Sequence, residues 1–174
     1  MRPTRSSAGY SSATRVRRYV VSAAGVVLLA VGGMALWNSE WLKAPRALWD
    51  LSRMPPPSAL PVPVEGVTAR RIADTFGAPR GRDRTHAGVD IFAKRGTPIR
   101  SAAPGVVVAV RNRGLGGRQV WVVGPARERY YYAHLEDWRA GLREGEVVAE
   151  GDLLGYVGTA ATPAGPPPHL LWGI

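Results

Sequence analysis

Turn-forming residues divide the second half of this chain into short apolar runs, and this feature limits its fold more than any other. The 174 residues include 21 glycines and 15 prolines, which interrupt helices but suit turns. The runs between them, such as 106–110 after Pro104-Gly105, are rich in β-branched residues that are typical of strands. Strands are predicted at 97–102, 105–111, 119–123, 130–134, 153–157 and 169–174, with one helical turn at 135–142. The sequence therefore predicts an all-β domain built on an antiparallel sheet.

The amino-terminal residues predict a membrane anchor. Residues 1–18 contain several arginines and no acidic residue, and residues 19–37 are apolar and uncharged, which is about the length that crosses a bilayer. Arginines before the apolar run favour a cytoplasmic amino terminus. We therefore expect a basic cytoplasmic arm without regular structure, one transmembrane helix over 19–37 and an exported remainder. The alternative is a cleaved signal peptide, but the run is long for one and no convincing cleavage site precedes Trp37.

Residues 38–65 are predicted to connect the anchor to the β domain. Residues 38–54 contain leucines and tryptophans interrupted by Pro45, and two interpretations stay open: a short helix at the membrane interface, broken at Pro45, or a plain stalk. The proline-rich residues 55–63 predict an extended, semi-rigid spacer. We therefore place the domain boundary near Gly66, so that residues 66–174 form the β domain.

The distribution of charge argues against nucleic-acid binding, and the absence of cysteine excludes disulfides and thiolate metal sites. The formal net charge of +10 suits an anionic partner if the arginines form a patch. The arginines are scattered among glycines and acidic residues, and no module that combines aromatic and basic residues for nucleic-acid binding is present. We predict no nucleic-acid partner, and a general binder of anionic surfaces is a distant alternative. Without cysteine the chain has neither disulfides nor thiolate metal ligands.

His86 and Asp90 are the first candidate site residues. They lie four residues apart in the glycine-containing segment Thr85-His86-Ala87-Gly88-Val89-Asp90. A neutral imidazole and an ionised carboxylate are both good zinc ligands, and a catalytic zinc site uses three protein ligands and one open position. The pair alone is weak evidence, because a histidine near an aspartate is more often a hydrogen-bonded surface pair.

The other two histidines lie in predicted strands. Because side chains alternate along a strand, His134 is expected on the same face as Tyr130 and Tyr132. The same alternation places His169 and Leu171 on one face of the last strand. The chain contains three histidines in all, so the candidates for a metal site are few.

Several short motifs follow one another in order over residues 72–174. They are Phe76-Gly77, His86-Ala87-Gly88-Val89-Asp90-Ile91, Gly96-Thr97-Pro98, Ala102-Ala103-Pro104-Gly105-Val106-Val107, Tyr132-Ala133-His134-Leu135, Glu150-Gly151-Asp152, Leu154-Gly155-Tyr156-Val157-Gly158 and Pro168-His169-Leu170. This series resembles the lysostaphin-type (LytM-type) zinc endopeptidases that cut peptidoglycan peptides. The resemblance implies a LytM/lysostaphin-like fold of the duplicated hybrid motif type, a zinc cofactor and peptidoglycan as the partner.

The resemblance also implies a role for each candidate residue. In that family the first histidine and the aspartate bind zinc, which corresponds to His86 and Asp90. The histidines that flank the zinc-bound water correspond to His134 and His169, which would transfer protons and stabilise the oxyanion. The family's third zinc ligand is the second histidine of a His-x-His pair. This sequence has Leu171 at that position, and leucine cannot coordinate a metal.

The missing ligand leaves two functional hypotheses. The first is a zinc endopeptidase of the cell wall, anchored in the bacterial inner (cytoplasmic) membrane with its β domain on the periplasmic or extracytoplasmic side, and with weak zinc binding and weak or lost activity. The second is a non-catalytic relative that binds peptidoglycan or regulates other wall hydrolases. Glu128 and Asp137 are acidic candidates for a substitute ligand, although nothing in the sequence favours them.

Overall fold

The computed structural model of the protein describes residues 12–79, 85–159 and 167–174, with side chains from Ala24 onward. It contains two compact units, Met1–Leu42 and Lys43–Ile174. Residues 1–11 of the predicted basic arm lie outside the described residues.

The first unit consists mainly of helix α1, Ser12–Trp37. This helix covers the predicted segment 19–37 and begins before it, so residues 12–18 are helical rather than irregular. Large apolar side chains between Val26 and Trp37 are exposed. In the part of the chain with described side chains, no single helix is long and apolar enough to span a membrane. The broken pair Ala24–Trp37 and Glu40–Ser52 meets the requirement of length and composition only when both helices are taken together.

Helix α2, Glu40–Ser52, continues through Pro45, where the sequence predicted a break. Pro45 lies beyond the first turn, so it removes the backbone hydrogen bond to the Trp41 carbonyl, but the helix does not end there. The carboxyl end of α2 belongs to the second unit, where Leu51 is buried. The Met54 carbonyl after the helix accepts a hydrogen bond from the Ala126 N–H at 3.2 Å, which attaches this segment to the β domain.

The proline-rich segment is also part of the second unit. Val64 is buried and forms an isolated antiparallel bridge with Ile99. The Pro63 carbonyl accepts a hydrogen bond from the Arg100 N–H at 2.7 Å, because proline lacks an N–H group but keeps its carbonyl acceptor. The predicted boundary at Gly66 therefore lies inside a unit that begins at Lys43.

The strands described in the second unit form one eight-stranded sheet in which all the recorded pairs are antiparallel. They are β1 Val89–Phe92, β2 Pro98–Arg100, β3 Gly105–Asn112, β4 Arg118–Val123, β5 Arg129–Trp138, β6 Val147–Val148, β7 Leu153–Val157 and β8 His169–Gly173. The order is β1-β8-β5-β4-β3-β6, and β7 pairs with both β5 and β2. Two short 3₁₀ turns occur at Ala69–Arg71 and Pro125–Arg127. The predicted antiparallel sheet is confirmed.

Alternation along β4 and β5 separates a core face from a second face of the sheet. Tyr130 and Tyr132 are fully buried on the core face. The Tyr132 hydroxyl accepts a hydrogen bond from the buried Ala102 N–H at 2.9 Å, and burial raises the pKa of Tyr132. On the second face, the rings of Trp121 and Tyr131 lie 4.4 Å apart. The candidate site is built on this second face.

Three elements differ from the prediction. The helical turn predicted at 135–142 is wrong for its first half, because Leu135 and Trp138 belong to β5 and pair with β7. The apolar residues Leu135, Trp138 and Leu142 have helical spacing, but pairing with β7 determines their conformation. Strands β1 and β6 were not predicted, and both are shorter than most strands.

Candidate metal centre

The sheet brings the four candidate residues together from β1, β5, β8 and the segment before β1. In the register of β1 and β8, Phe92 lies opposite His169. His86, Asp90, His134 and His169 are all buried. Such burial is unusual for charged and polar side chains, which are buried mainly where they are paired or hydrogen-bonded.

His86 and Asp90 form a close pair that Thr75 holds in place. His86 Nε2 lies 3.2 Å from Asp90 Oδ1, and His86 Nδ1 lies 2.9 Å from the Thr75 carbonyl oxygen. The Asp90 N–H donates a hydrogen bond to the Thr75 hydroxyl oxygen at 3.0 Å. A carbonyl can only accept, so we assign an N–H proton to Nδ1. This leaves Nε2 as the ring atom beside the carboxylate, which is the arrangement of a histidine that binds metal through Nε2.

His169 has the same arrangement. Its Nδ1 lies 2.8 Å from the Pro167 carbonyl oxygen, and its Nε2 lies 3.7 Å from Asp90 Oδ1. The Phe92 ring is 5.4 Å from the imidazole, measured between ring centroids. By the same reasoning Nδ1 carries an N–H proton, and Nε2 is the ring atom that faces Asp90 in the cleft.

His134 reaches the cleft through a β-bulge. It has a left-handed backbone conformation with φ of 62°, which is uncommon outside glycine. Gln119 pairs with Ala133 and Arg118 pairs with Leu135, so His134 is the extra residue of the strand. The bulge reverses the alternation after Ala133. The prediction that His134 shares a face with the buried Tyr132 is therefore wrong.

The bulge turns the His134 ring toward His169, with the ring centroids 4.8 Å apart. Two backbone hydrogen bonds hold this conformation: His134 N–H donates to the Gly116 carbonyl, and Gly158 N–H donates to the His134 carbonyl, both at 2.9 Å. The His169 N–H donates to the Gly158 carbonyl at 3.2 Å. Gly158 therefore connects the backbones of the two histidines.

Leu171 lies directly opposite Asp90 in the β1–β8 pair. It is on the same face of β8 as His169, as alternation predicted, because β8 contains no bulge where it pairs with β1. A methyl group added to Gly88 would lie 3.2 Å from Leu171 Cδ1, which shows how closely this side chain approaches the His86–Asp90 segment. A hydrocarbon side chain therefore lies beside the His86–Asp90 pair, at the position where the resemblance predicts a third metal ligand.

The donor set fits a metal only in part. Residues 12–79, 85–159 and 167–174, the ranges that the structure describes, contain no group of three or more His, Cys, Asp or Glu that could hold a metal ion. The acidic substitutes considered from sequence have other contacts: Glu128 accepts a hydrogen bond from the Tyr130 hydroxyl at 2.6 Å, and Asp137 lies 4.0 Å from the Arg118 guanidinium. His86 and Asp90 have the chemistry of two zinc ligands, and the described residues supply no third.

Thr75 and Phe92 are site residues that sequence reasoning missed. Thr75 lies eleven residues before His86 and contacts both members of the pair, but no motif marks it. Phe92 follows Asp90 by two residues in β1, so its position beside His169 could have been found only if β1 had been predicted.

Comparison with known proteins agrees with this geometry. The sequence matches peptidase family M23 over residues 84–174, which is more than half of the chain. The chain belongs to peptidase family M23. This assignment confirms the resemblance to the lysostaphin-type peptidases and covers all four candidate residues. The matched range begins just before the motif that contains His86 and Asp90.

Individual M23 relatives support the same assignment. The chain is 33% identical over 123 residues to the L-Ala–D-Glu endopeptidase of Bacillus subtilis, which covers 67% of this chain and 37% of that protein. Csd3 of Helicobacter pylori has a similar structure, with a TM-score of 0.51 and 32% identity over 65% of this chain and 30% of that one. Lysostaphin of Staphylococcus simulans has a similar structure with a TM-score of 0.51, and the two are 27% identical over 58% of this chain and 41% of that one. The chain thus spans much less than two thirds of these relatives.

Proposed function

We propose that this chain acts on peptidoglycan at the bacterial cell wall, as an M23 protein that binds zinc weakly and has weak or lost endopeptidase activity. The observation that carries this proposal is Leu171 opposite Asp90 in an otherwise assembled cleft. The names of the relatives, including an L-Ala–D-Glu endopeptidase, support peptide cross-links of the wall as the substrate class.

The buried polar residues have distinct proposed roles. His86 and Asp90 would hold zinc, which when bound polarises a carbonyl and acidifies a water molecule. His134 and His169 would accept and donate protons beside the zinc, because their rings lie 4.8 Å apart in the same cleft. The described residues do not complete a three-ligand site, so no hydrolytic step is assigned through zinc.

A cleavage assay tests this proposal. Purified peptidoglycan is incubated with the full native chain, with Leu171→His, and with the double variant Leu171→His, His86→Ala, and the released fragments are separated by liquid chromatography. We expect little or no product from the native chain and clear product from Leu171→His with zinc. The double variant is the matched control, because it restores one ligand and removes another. Rapid cleavage by the native chain would refute the proposal.

A second candidate function is non-catalytic binding of peptidoglycan or regulation of another wall hydrolase. Leu171 favours it directly, because loss of a ligand weakens a metal site more than the 10–100-fold typical of changes around the ligands. If Leu171→His and the native chain both bind peptidoglycan and neither cleaves it, this function replaces the first. Crosslinking in cells, followed by a search for captured wall hydrolases, then separates binding from regulation.

We also propose that residues 19–37 anchor the chain in the cytoplasmic membrane, with the β domain on the extracytoplasmic side. The exposed apolar side chains from Val26 to Trp37 and the arginines before them support this location. Extraction of membranes at alkaline pH tests the anchor, and protease added to intact spheroplasts tests the side. Release of the full chain by alkali, or protection of the β domain from protease, would contradict this location.

A further inference from the structure

A row of directly paired residues connects the His86–Asp90 end of the sheet to its far side. The row runs across five strands as Asp90, Leu171, Ala133, Gln119 and Arg111. Residues that are directly opposite in an antiparallel sheet point to the same face. Neighbouring strands lie about 4.8 Å apart, so the Cα atom of Arg111 lies about 19 Å from that of Asp90, and both side chains are on the same face.

At the far end of this row the face forms a cationic cavity, which we call the arginine basin. It has a volume of about 420 Å³ and is lined by Arg111, Arg113 and Arg129 together with Gln119, Trp121 and neighbouring aliphatic residues. All three arginines are exposed, and none of the residues that line the cavity is acidic. In the part of the chain that the structure describes, no acidic side chain forms an ion pair with any of the three.

Gln119 gives the basin a fixed floor. Its side-chain amide donates hydrogen bonds to the Arg113 carbonyl at 2.8 Å and the Gly117 carbonyl at 3.4 Å. Its side-chain oxygen accepts a hydrogen bond from Trp121 Nε1 at 3.3 Å. Because Gln119 is buried and the Trp121 ring also stacks on Tyr131, the indole and the turn that carries Arg113 are held before any ligand arrives.

This combination is suited to carboxylates. The guanidinium group binds a carboxylate through two parallel hydrogen bonds, and several like charges in one cavity attract anions more strongly than a single exposed charge does. The Trp121 ring offers a flat apolar surface next to these charges. A distance of about 19 Å corresponds to five or six residues of an extended peptide, so one peptide can contact both the basin and the His86–Asp90 end.

We propose that the arginine basin is a carboxylate-binding subsite for acidic peptides that lie across the sheet from the His86–Asp90 end. The proposal rests on the function proposed above, since it takes peptidoglycan peptides as the ligand. Gln119 is a positioning residue of this subsite. A second cavity of about 430 Å³ shares Arg129 with the basin and extends to Trp49 of α2, which makes an anionic lipid surface the alternative ligand. The shared face with Asp90 favours the peptide.

Two probes test the subsite without any cleavage. The full chain is purified in neutral detergent micelles with a metal chelator. Binding of dye-labelled hexaglutamate is measured by fluorescence anisotropy, and binding of purified peptidoglycan is measured by sedimentation. The variant Arg111→Gln, Arg129→Gln is compared with Arg70→Gln, Arg71→Gln, which removes the same charge from exposed residues outside the basin.

If the basin is such a subsite, Arg111→Gln, Arg129→Gln (the basin variant) should bind both probes at least tenfold more weakly than the native chain. Arg70→Gln, Arg71→Gln (the control variant) should bind them nearly as tightly as the native chain. Native peptidoglycan whose carboxylates have been converted to amides should bind as weakly as the basin variant does. If hexaglutamate depends on the basin but peptidoglycan does not bind, the subsite stands and the proposed function fails. If the native chain binds peptidoglycan and the basin variant binds it equally well, the function stands and the subsite is overturned.

The remaining outcomes also decide the proposal. If neither probe binds, the subsite is overturned. Phosphatidylglycerol added to the micelles tests the lipid alternative. If this lipid binds through Arg111 and Arg129 while hexaglutamate does not bind in its absence, the basin faces a membrane and the peptide proposal is overturned.

Discussion

The variant Tyr132→Phe removes one buried hydroxyl group and tests which face of β5 forms the core. The Tyr132 ring is fully buried, and its hydroxyl accepts the hydrogen bond from the Ala102 N–H at 2.9 Å. Ala102 is also fully buried, so water cannot readily replace the lost acceptor. A phenylalanine ring fills nearly the same space, and the main loss is the hydrogen bonding of the hydroxyl, including the acceptor for Ala102 N–H. A buried donor left without an acceptor costs about 1–3 kcal/mol.

For a chain of this length, such a loss lowers Tm by roughly 2–12 °C. Tyr131→Phe is the matched control, because Tyr131 is half-buried on the opposite face and stacks on Trp121. We expect it to change the free energy of unfolding by less than about 0.5 kcal/mol. Thermal unfolding of the full chain in detergent, followed by near-ultraviolet circular dichroism, measures both. Equal losses of Tm for Tyr132→Phe and Tyr131→Phe would refute the assignment of the two faces of β5, and with it the reversal of side-chain alternation at His134.

Three further predictions concern the site, the pH dependence and the anchor. Gly158→Ala should lower the stability by about 1–3 kcal/mol, because the new methyl group would overlap the backbone of β5 after His134; an unchanged Tm would contradict the close approach. The pKa of Tyr130 is raised, chiefly by burial and then by the hydrogen bond to Glu128. The neutral form of Tyr130 therefore stabilises the fold below the ordinary pKa of about 10. This stabilisation is lost as the pH rises above that ordinary pKa. Unfolding of Tyr130→Phe should therefore depend less on pH between about 10 and 12, and an unchanged slope would contradict this. Deletion of residues 1–37 should move the protein from the membrane to the soluble fraction on cell fractionation, whereas continued sedimentation with membranes would contradict the proposed anchor.

Most of the sheet could be predicted from local sequence. The runs that became β3, β4 and β7 are apolar, β-branched in large part and bounded by glycine or proline, so their positions followed from residue preference and turn chemistry. Strand β7 was predicted at the residues where it occurs, 153–157. Strand β1 was missed, because it has four residues and its pairing partner β8 lies about eighty residues later in the chain. Such a strand is stabilised by distant pairing rather than by its own pattern.

The site could be predicted in content but not fully in geometry. Histidines and an aspartate within recognisable motifs pointed to four residues that the sheet does bring together, and Leu171 occupies the position where the resemblance predicts a third ligand. The orientation of His134 could not be predicted, because a bulge adds one residue and reverses the alternation without a clear sequence signal. The contact of Thr75 with His86 and Asp90 could not be predicted, because Thr75 lies just before the Phe76-Gly77 motif and no motif includes it.

The most direct test of the central claim is the zinc affinity of the full chain, measured by competition with a chromophoric chelator. The native chain is compared with Leu171→His and with Leu171→Ala, which removes the leucine without adding a ligand. If Leu171 leaves the His86–Asp90 pair one ligand short, Leu171→His should bind one zinc ion at least about 100-fold more tightly than the other two forms. Stoichiometric zinc binding by the native chain, as tight as that of Leu171→His, would contradict the account.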